Sequence, residues 1–464
     1  LNGIRLDGLD FKAQSDVRQL TFNAKIDSAY LVKNNMGLPP VSAQGAVFND
    51  SIRFAVKIAR DSAANRANIA GLIFANSDTL KLKFDTTEIV LNHKKWETNT
   101  GTFTYKNKNY FEVEDLALRQ DDRTISLRSH PSRLHNNYTE VILENIYMKD
   151  FNYIPIIAKI GIDTKISGEI AIKDVFDKQI INAELLAQDF IFRKQPIGDV
   201  KLRVDKRFKE DDLHVGLDVA NERYDIKVNQ GLVVLPKKKG DKPMLDVEAN
   251  IRKGNLQFLE AFLGTLVSRT EGNIKGLLRI YGQLEQPNFK GNIFVEKGGT
   301  TVDYLNTRYT LKNQSIVFDD KYIRFNNMGL NDTLGNTARA NGYVFLNDMK
   351  NMSINLDITT DNLLLLNTKF EQNNLYYGTA FAGGVVRFRG PFNQLDLYIN
   401  ARSNKGTKFN LPISYDSDVS ENAIYTFINT GVKEEEVKPL PPAASGMKIQ
   451  FDLEMTPDAE IAII

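Results

Sequence analysis

The chain has 464 residues, with 59 Lys and Arg against 58 Asp and Glu, so its formal net charge is only +1. That balance leaves no basic excess to neutralise phosphates and argues against a nucleic-acid partner. The absence of cysteine excludes disulfides, thiolate metal sites, cysteine nucleophiles and a lipidated cysteine within the chain. The 42% hydrophobic and 25% charged fractions suit folded structure rather than disorder. No apolar run reaches the ~18 residues that span a bilayer, and no signal peptide is visible. The chain opens at Leu1 and stops at Ile464 in mid-strand pattern. It reads as a piece of a longer protein whose targeting and anchoring segments lie outside it.

Along the chain, a period of two dominates. Residues 52–58 (Ile-Arg-Phe-Ala-Val-Lys-Ile) alternate, as do 80–84 (Leu-Lys-Leu-Lys-Phe). Residues 151–160 form a weak helical candidate interrupted by Pro155. Alternation returns over 200–204, 213–219 and 245–251. Residues 255–267 predict the best helix, with Leu256, Leu259, Leu263 and Leu266 at helical spacing on one side. Strand patterns resume at 354–358 and 395–399. Ser420 is a plausible N-cap for a third short helix over 420–430. The Glu- and Pro-rich stretch 433–446 reads as a loop, after which 448–453 alternate again.

Turn residues recur every eight to twelve positions or so, which is the spacing of hairpin-connected strands. Strands buried on both faces would read as unbroken apolar runs, and these do not. One face is apolar, the other polar, and one to three short helices cannot cover such a sheet. The expected fold is all-β with one or a few short helices: either two such sheets pack as a sandwich, or an elongated, curled antiparallel sheet leaves its apolar face open as a groove. Strand parity places Phe54, Val56, Leu82, Phe84, Leu202, Val204, Val215, Leu217, Val247, Leu356, Ile358, Leu397 and Ile399 on the apolar, groove-lining face. A pattern of apolar residue, any residue, then glycine ends at Gly45, Gly168, Gly282 and Gly390, each before an alternating strand. This loose repeat suggests one stack whose units extend a common sheet.

Catalytic constellations are missing. His93, His130, His135 and His214 have no metal-ligand spacing. No phosphate loop, dinucleotide fingerprint or nucleophile elbow occurs, and Gly298-Gly299 reads as a turn. The pairs Asp121-Asp122 and Asp319-Asp320 are adjacent on strands and so point to opposite faces, which cannot bracket one bond. Trp96 reads as a packing residue at a strand end. The expectation is a non-enzyme with no catalytic residue, metal or cofactor.

An ordered series of motifs then becomes informative. It runs from residues 272–282 (Gly-Asn-Ile-Lys-Gly-Leu-Leu-Arg-Ile-Tyr-Gly) and 286–291 through 315–318 and 329–336. It continues with 376–384 (Tyr-Tyr-Gly-Thr-Ala-Phe-Ala-Gly-Gly), 388–390 and 406–413. This series resembles the C-terminal region of the TamB family, part of the AsmA-like envelope proteins of Gram-negative bacteria. Residues 1–270 are similar to the repetitive β-groove region that precedes it, giving a division into 1–270 and 271–464.

The resemblance implies a long, taco-shaped sheet with a hydrophobic lumen, in the periplasm, anchored to the inner membrane by an N-terminal segment outside this chain. It also implies phospholipid transport between the inner and outer membranes, with acyl chains in the groove. The alternative is a translocation and assembly role, helping to insert outer-membrane proteins with an Omp85-type barrel partner. A surface β-sandwich without a lumen is a third reading, and continuity of the apolar stripe separates the three.

Overall fold

A computed structural model describes residues 4–463 except 17, 32–35, 60–62, 86, 107–109, 132–136, 152–160, 176–178, 208–209, 211, 237, 239, 261–266, 285, 304, 347–351, 373–375 and 413–447. The described residues form thirty-three β-strands, β1 to β33 in chain order, and two short 3-10 turns. The fold is all-β, an open and curled antiparallel sheet rather than a closed barrel. The chain divides into two compact units, residues 1–221 with 227–243, and 222–226 with 244–464.

In the first unit β1 (Ile4–Asp7), β4 (Ser28–Leu31) and β5 (Met36–Leu38) form a small separate sheet. The main ladder begins with β2 (Asp10–Ser15) and β3 (Leu20–Ile26), then passes to β6 (Val41–Phe48), β7 (Ser51–Ile58) and β8 (Arg66–Ala75). There it forks. The second half of β8 pairs with β9 (Thr79–Phe84), which leads to β12 (Thr102–Lys106) and β13 (Tyr110–Glu114). The first half pairs with β10 (Glu88–Leu91), which leads to β11 (Lys94–Thr98), β14 (Leu116–Gln120) and β15 (Arg123–Pro131). Longer hairpins follow: β16 (Asn137–Tyr147), β17 (Ile162–Lys173), β18 (Ile180–Phe192), β19 (Gln195–Lys206) and β20 (Leu213–Ala220). Strand β21 (Asp225–Val234) is divided between the units.

The second unit runs in antiparallel neighbours from β22 (Met244–Asn255) through β23 (Val267–Gln283), β24 (Gln286–Val302), β25 (Thr307–Asp320), β26 (Tyr322–Asn331), β27 (Thr337–Leu346) and β28 (Met352–Thr368) to β29 (Tyr377–Pro391). The two halves of β29 pair with β30 (Asp396–Ser403) and β31 (Lys408–Leu411). The direction then changes: β32 (Lys448–Glu454) and β33 (Glu460–Ile463) lie parallel to β30 and β31.

Bulges bend these long strands at defined residues. Register shifts fall between Leu143 and Ile146, Ala187 and Phe190, Ser268 and Glu271, and Phe325 and Met328. Each gap holds a residue in the left-handed region: Asn145, Asp189, Arg269 and Asn327. Three of the four are Asn or Asp, which tolerate that conformation best. Glycine lets the strands approach more closely elsewhere. Gly168 and Gly342 have φ of +146° and +144°, and a Cβ on either would lie 2.1 Å from a partner-strand carbonyl oxygen. Gly342→Ala is therefore expected to cost about 1–3 kcal/mol, read as a lower denaturation midpoint at unchanged slope. The four glycines of the loose repeat are not equivalent: Gly45 and Gly168 lie inside strands, whereas Gly282 and Gly390 lie at strand ends.

The helices expected from sequence fall largely outside the described residues. Residues 152–160 and 420–430 lie outside the described residues; just before the first, Met148–Phe151 form a 3-10 turn. Of the helix expected over 255–267, the described part is a 3-10 turn at Leu256–Leu259, capped by the Asn255 side chain accepting from the Gln257 N–H at 2.8 Å, and Glu260 in α-helical conformation. Val267 already begins a strand, and residues 261–266 lie outside the described set. Gly298 and Gly299 are likewise no turn but the interior of β24. A Cβ on Gly298 would meet Leu256 Cδ1 at 2.6 Å, so the bare backbone is the socket into which Leu256 fits. Trp96 sits within its strand rather than at its end, and is 2% exposed.

Candidate apolar groove

Directly opposed residues of an antiparallel pair share a face, so the registers show what the sheet presents on each side. In the first unit one row runs Leu118, Ile125, Leu143, Gly168, Leu185, Leu202, Leu217 across seven strands. Beside it runs Leu116, Leu127, Val141, Ile170, Ala183, Val204, Val215. Nearer the N-terminus, Phe22, Gly45, Phe54, Gly71 and Phe84 form another row, next to Ala24, Ala43, Val56 and Ile69. Leu82 opposes Ile73 and Phe103, and Phe103 packs edge-on against Phe84 with ring centroids 5.5 Å apart.

In the second unit Val247, Ile280 and Phe289 oppose one another. Gly342, Leu356, Phe388 and Leu397 form a row beside Ala340, Ile358, Val386 and Ile399. The thirteen residues picked by parity thus lie, within each unit, on a single apolar face. Leu397 is buried and the other twelve are half-buried. The sheet that carries this face is open rather than closed into a barrel. At its N-terminal end Phe11 is 62% exposed.

The opposite face is charged. Arg279 makes two bonds to Asp246 at 2.7 and 2.6 Å, which raises the guanidinium and holds the Asp246 carboxyl below its usual range. Arg324 meets Asp319 at 3.0 Å and Arg128 meets Asp115 at 2.7 Å. Such exposed pairs each contribute little to stability, but they mark this side as the wet one. Arg123 sits at a rim of the sheet, neutralised by Asp150 of the 3-10 turn and stacked 4.4 Å over Tyr147. Both ends of that pair are buried, so neither charge is left to face an apolar occupant unpaired.

His130 bonds Glu140 at 3.1 Å and His214 bonds Glu210 at 2.7 Å, as surface pairs. Among the described residues no three His, Asp or Glu side chains gather as metal ligands would. Asp319 and Asp320 lie where β25 ends and Asp121 and Asp122 in the β14–β15 turn, each pair flanking a tight reversal.

Parity read from the clean alternations missed much of the face, including Phe22, Phe103, Leu143, Leu185, Phe289 and Phe388. The strands of Leu143, Leu185, Phe289 and Phe388 carry glycines or bulges that break the simple pattern, whereas Phe22 and Phe103 belong to short alternations, 20–26 and 102–106, that a closer reading finds. In each unit the open antiparallel sheet thus presents one charged side and one apolar side.

Residues 326–464 match the family described as TamB C-terminal domain. Over this region the chain is similar to the TamB family, which is associated with lipid or protein transport in the Gram-negative envelope. None of the curated proteins and none of the solved structures matches the chain. No helix among the described residues is long and apolar enough to cross a membrane.

Proposed function

We propose that the apolar face carries the acyl chains of phospholipids across the periplasm, between the inner and outer membranes. The observation that carries this reading is the apolar rows, seven strands wide in the first unit, on an open and curled sheet. Acyl chains moving through water expose apolar area at about 25 cal/mol per Å². A trough removes that cost without specific contacts and without a catalytic group. Retained lipid tests the reading: mass spectrometry of the purified chain is expected to find co-purified phospholipid at stoichiometric levels. Purification free of lipid, from membranes that contain it, would count against it.

One observation favours a second reading, assembly of outer-membrane proteins with an Omp85-type barrel. Among the described residues β32 and β33 each pair on one side only, with β30 and β31. An unpaired edge is able to take up an incoming strand by β-augmentation. In this reading bound peptide replaces lipid in the same mass spectrum.

A further inference from the structure

In the second unit the apolar face does not stay equally open along its strands. The β26–β27 hairpin is shorter than its neighbours, and past its tip β25 and β28 reach each other directly. The Asn367 N–H donates to the Leu305 carbonyl at 3.0 Å, and the Tyr309 hydroxyl donates to the Leu364 carbonyl at 2.9 Å. The Asn306 side-chain amide donates to the Asn367 carbonyl at 2.6 Å. The hairpin tip is tied into this seam, because the Leu364 N–H donates to Asp332 at 2.9 Å.

Beneath the seam the apolar face closes on itself. Met328, Leu330, Ala338, Ala340 and Leu363 form a core, with Tyr309 packed against it. Ala340 is 0% and Leu363 2% exposed, so an acyl chain has no access to either while the seam is shut. Burial pushes the Tyr309 hydroxyl up to about 12, so it stays a donor at any physiological pH. At the other end of the same strands the face remains half-buried. There Phe318, Ile323, Val344 and Ile354 oppose one another in a row.

We propose that the β25–β28 seam is a built-in constriction, which seals one end of these strands and confines acyl chains to a single lane over Phe318, Ile323, Val344 and Ile354. This rests on the lipid-path reading given above. The lane fixes how many chains pass abreast, and opening the seam widens it.

The experiment places a small diazirine side chain at position 344, 328, 247 or 399 of the full chain and irradiates it with vesicles of phosphatidylethanolamine and phosphatidylglycerol. Lipid adducts are expected at 344 and at least tenfold fewer at 328. In the Tyr309→Phe, Asn306→Ala variant the yield at 328 should rise toward that at 344. Equal yields at 344 and 328 in the unaltered protein would overturn the constriction while leaving the lipid path intact, as would adducts at 247 and 399 with none at 344. Adducts at none of the four positions would overturn the lipid path itself. Hydrogen exchange gives a check that needs no variant: the Asn367 amide should be protected, and exchange at the rate of an unpaired amide would overturn the seam.

Discussion

Replacing Asp332 by alanine is expected to destabilise the second unit by about 2–4 kcal/mol at neutral pH. The Asp332 carboxylate accepts from the backbone N–H groups of Leu334, Asn336 and Leu364, each at 2.9 Å, and from the Asn336 side chain at 2.8 Å. Leu364 is buried, so its amide would lose its acceptor where water does not reach; Leu334 is exposed and its amide would be rehydrated. Burial raises the Asp332 pKa, but the bonds from Asn336, Leu364 and Leu334 outweigh it and the net shift is downward. A lowered native pKa means stability that is present above the ordinary carboxylate range, about 3.9, and lost as pH falls through the native value. The gap between wild type and Asp332→Ala, measured by denaturant unfolding, should therefore be full at pH 7 and shrink steadily below about pH 4. A gap that is the same at pH 7 and well below pH 4 would show that the carboxylate's charge is not what ties the hairpin down.

Val56→Asp is expected to slow lipid transfer between vesicles at least tenfold, while Ala55→Asp leaves it near the wild-type rate. The two residues are neighbours in β7 but lie on opposite faces. Val56 opposes Ala43 and Ile69 on the apolar side, whereas Ala55 opposes Gln44 and Ala70 on the polar side, between Arg53 and Lys57 in sequence. An isolated carboxylate among acyl chains costs several kcal/mol to desolvate, and only about 1.4 kcal/mol of that need appear in the barrier for a tenfold effect. Both variants keep the backbone ladder, so circular dichroism should show an unchanged strand signal. Equal slowing by both variants would mean that charge on the sheet matters but not its face.

Alternation was legible wherever strands were regular. The pattern at 52–58 and 200–204 placed Phe54, Val56, Leu202 and Val204 on a common face, which the registers reproduce. It failed where backbone geometry overrides parity. The bulge at Asn327 shifts the register between Phe325 and Met328, so counting by twos from Ile323 would send Met328 and Leu330 to the wrong side. The start of the segment expected as a helix over 255–267 depends on a tertiary contact: Leu256 seats against Gly272 and Gly298, two glycines from different strands that no local window brings together. The seam was invisible for the same reason, since it joins Leu305 to Asn367 through contacts that exist only once the hairpin between them has formed. The parallel pairing of β32 with β30 was not legible either, because alternation alone carries no direction.

The lipid path is tested most directly by site-specific photocrosslinking at positions 215 and 214. Val215 opposes Val204 on the apolar face, and His214 opposes Asp205 and bonds Glu210 on the other. With a diazirine side chain at each position in turn and phospholipid vesicles as the donor, lipid adducts are expected at 215 and not at 214. Equal labelling at both positions, or none at 215, would contradict the groove as the lipid path. Peptide adducts at 215 in cell envelopes, with no lipid, would transfer the apolar face to the protein-assembly reading.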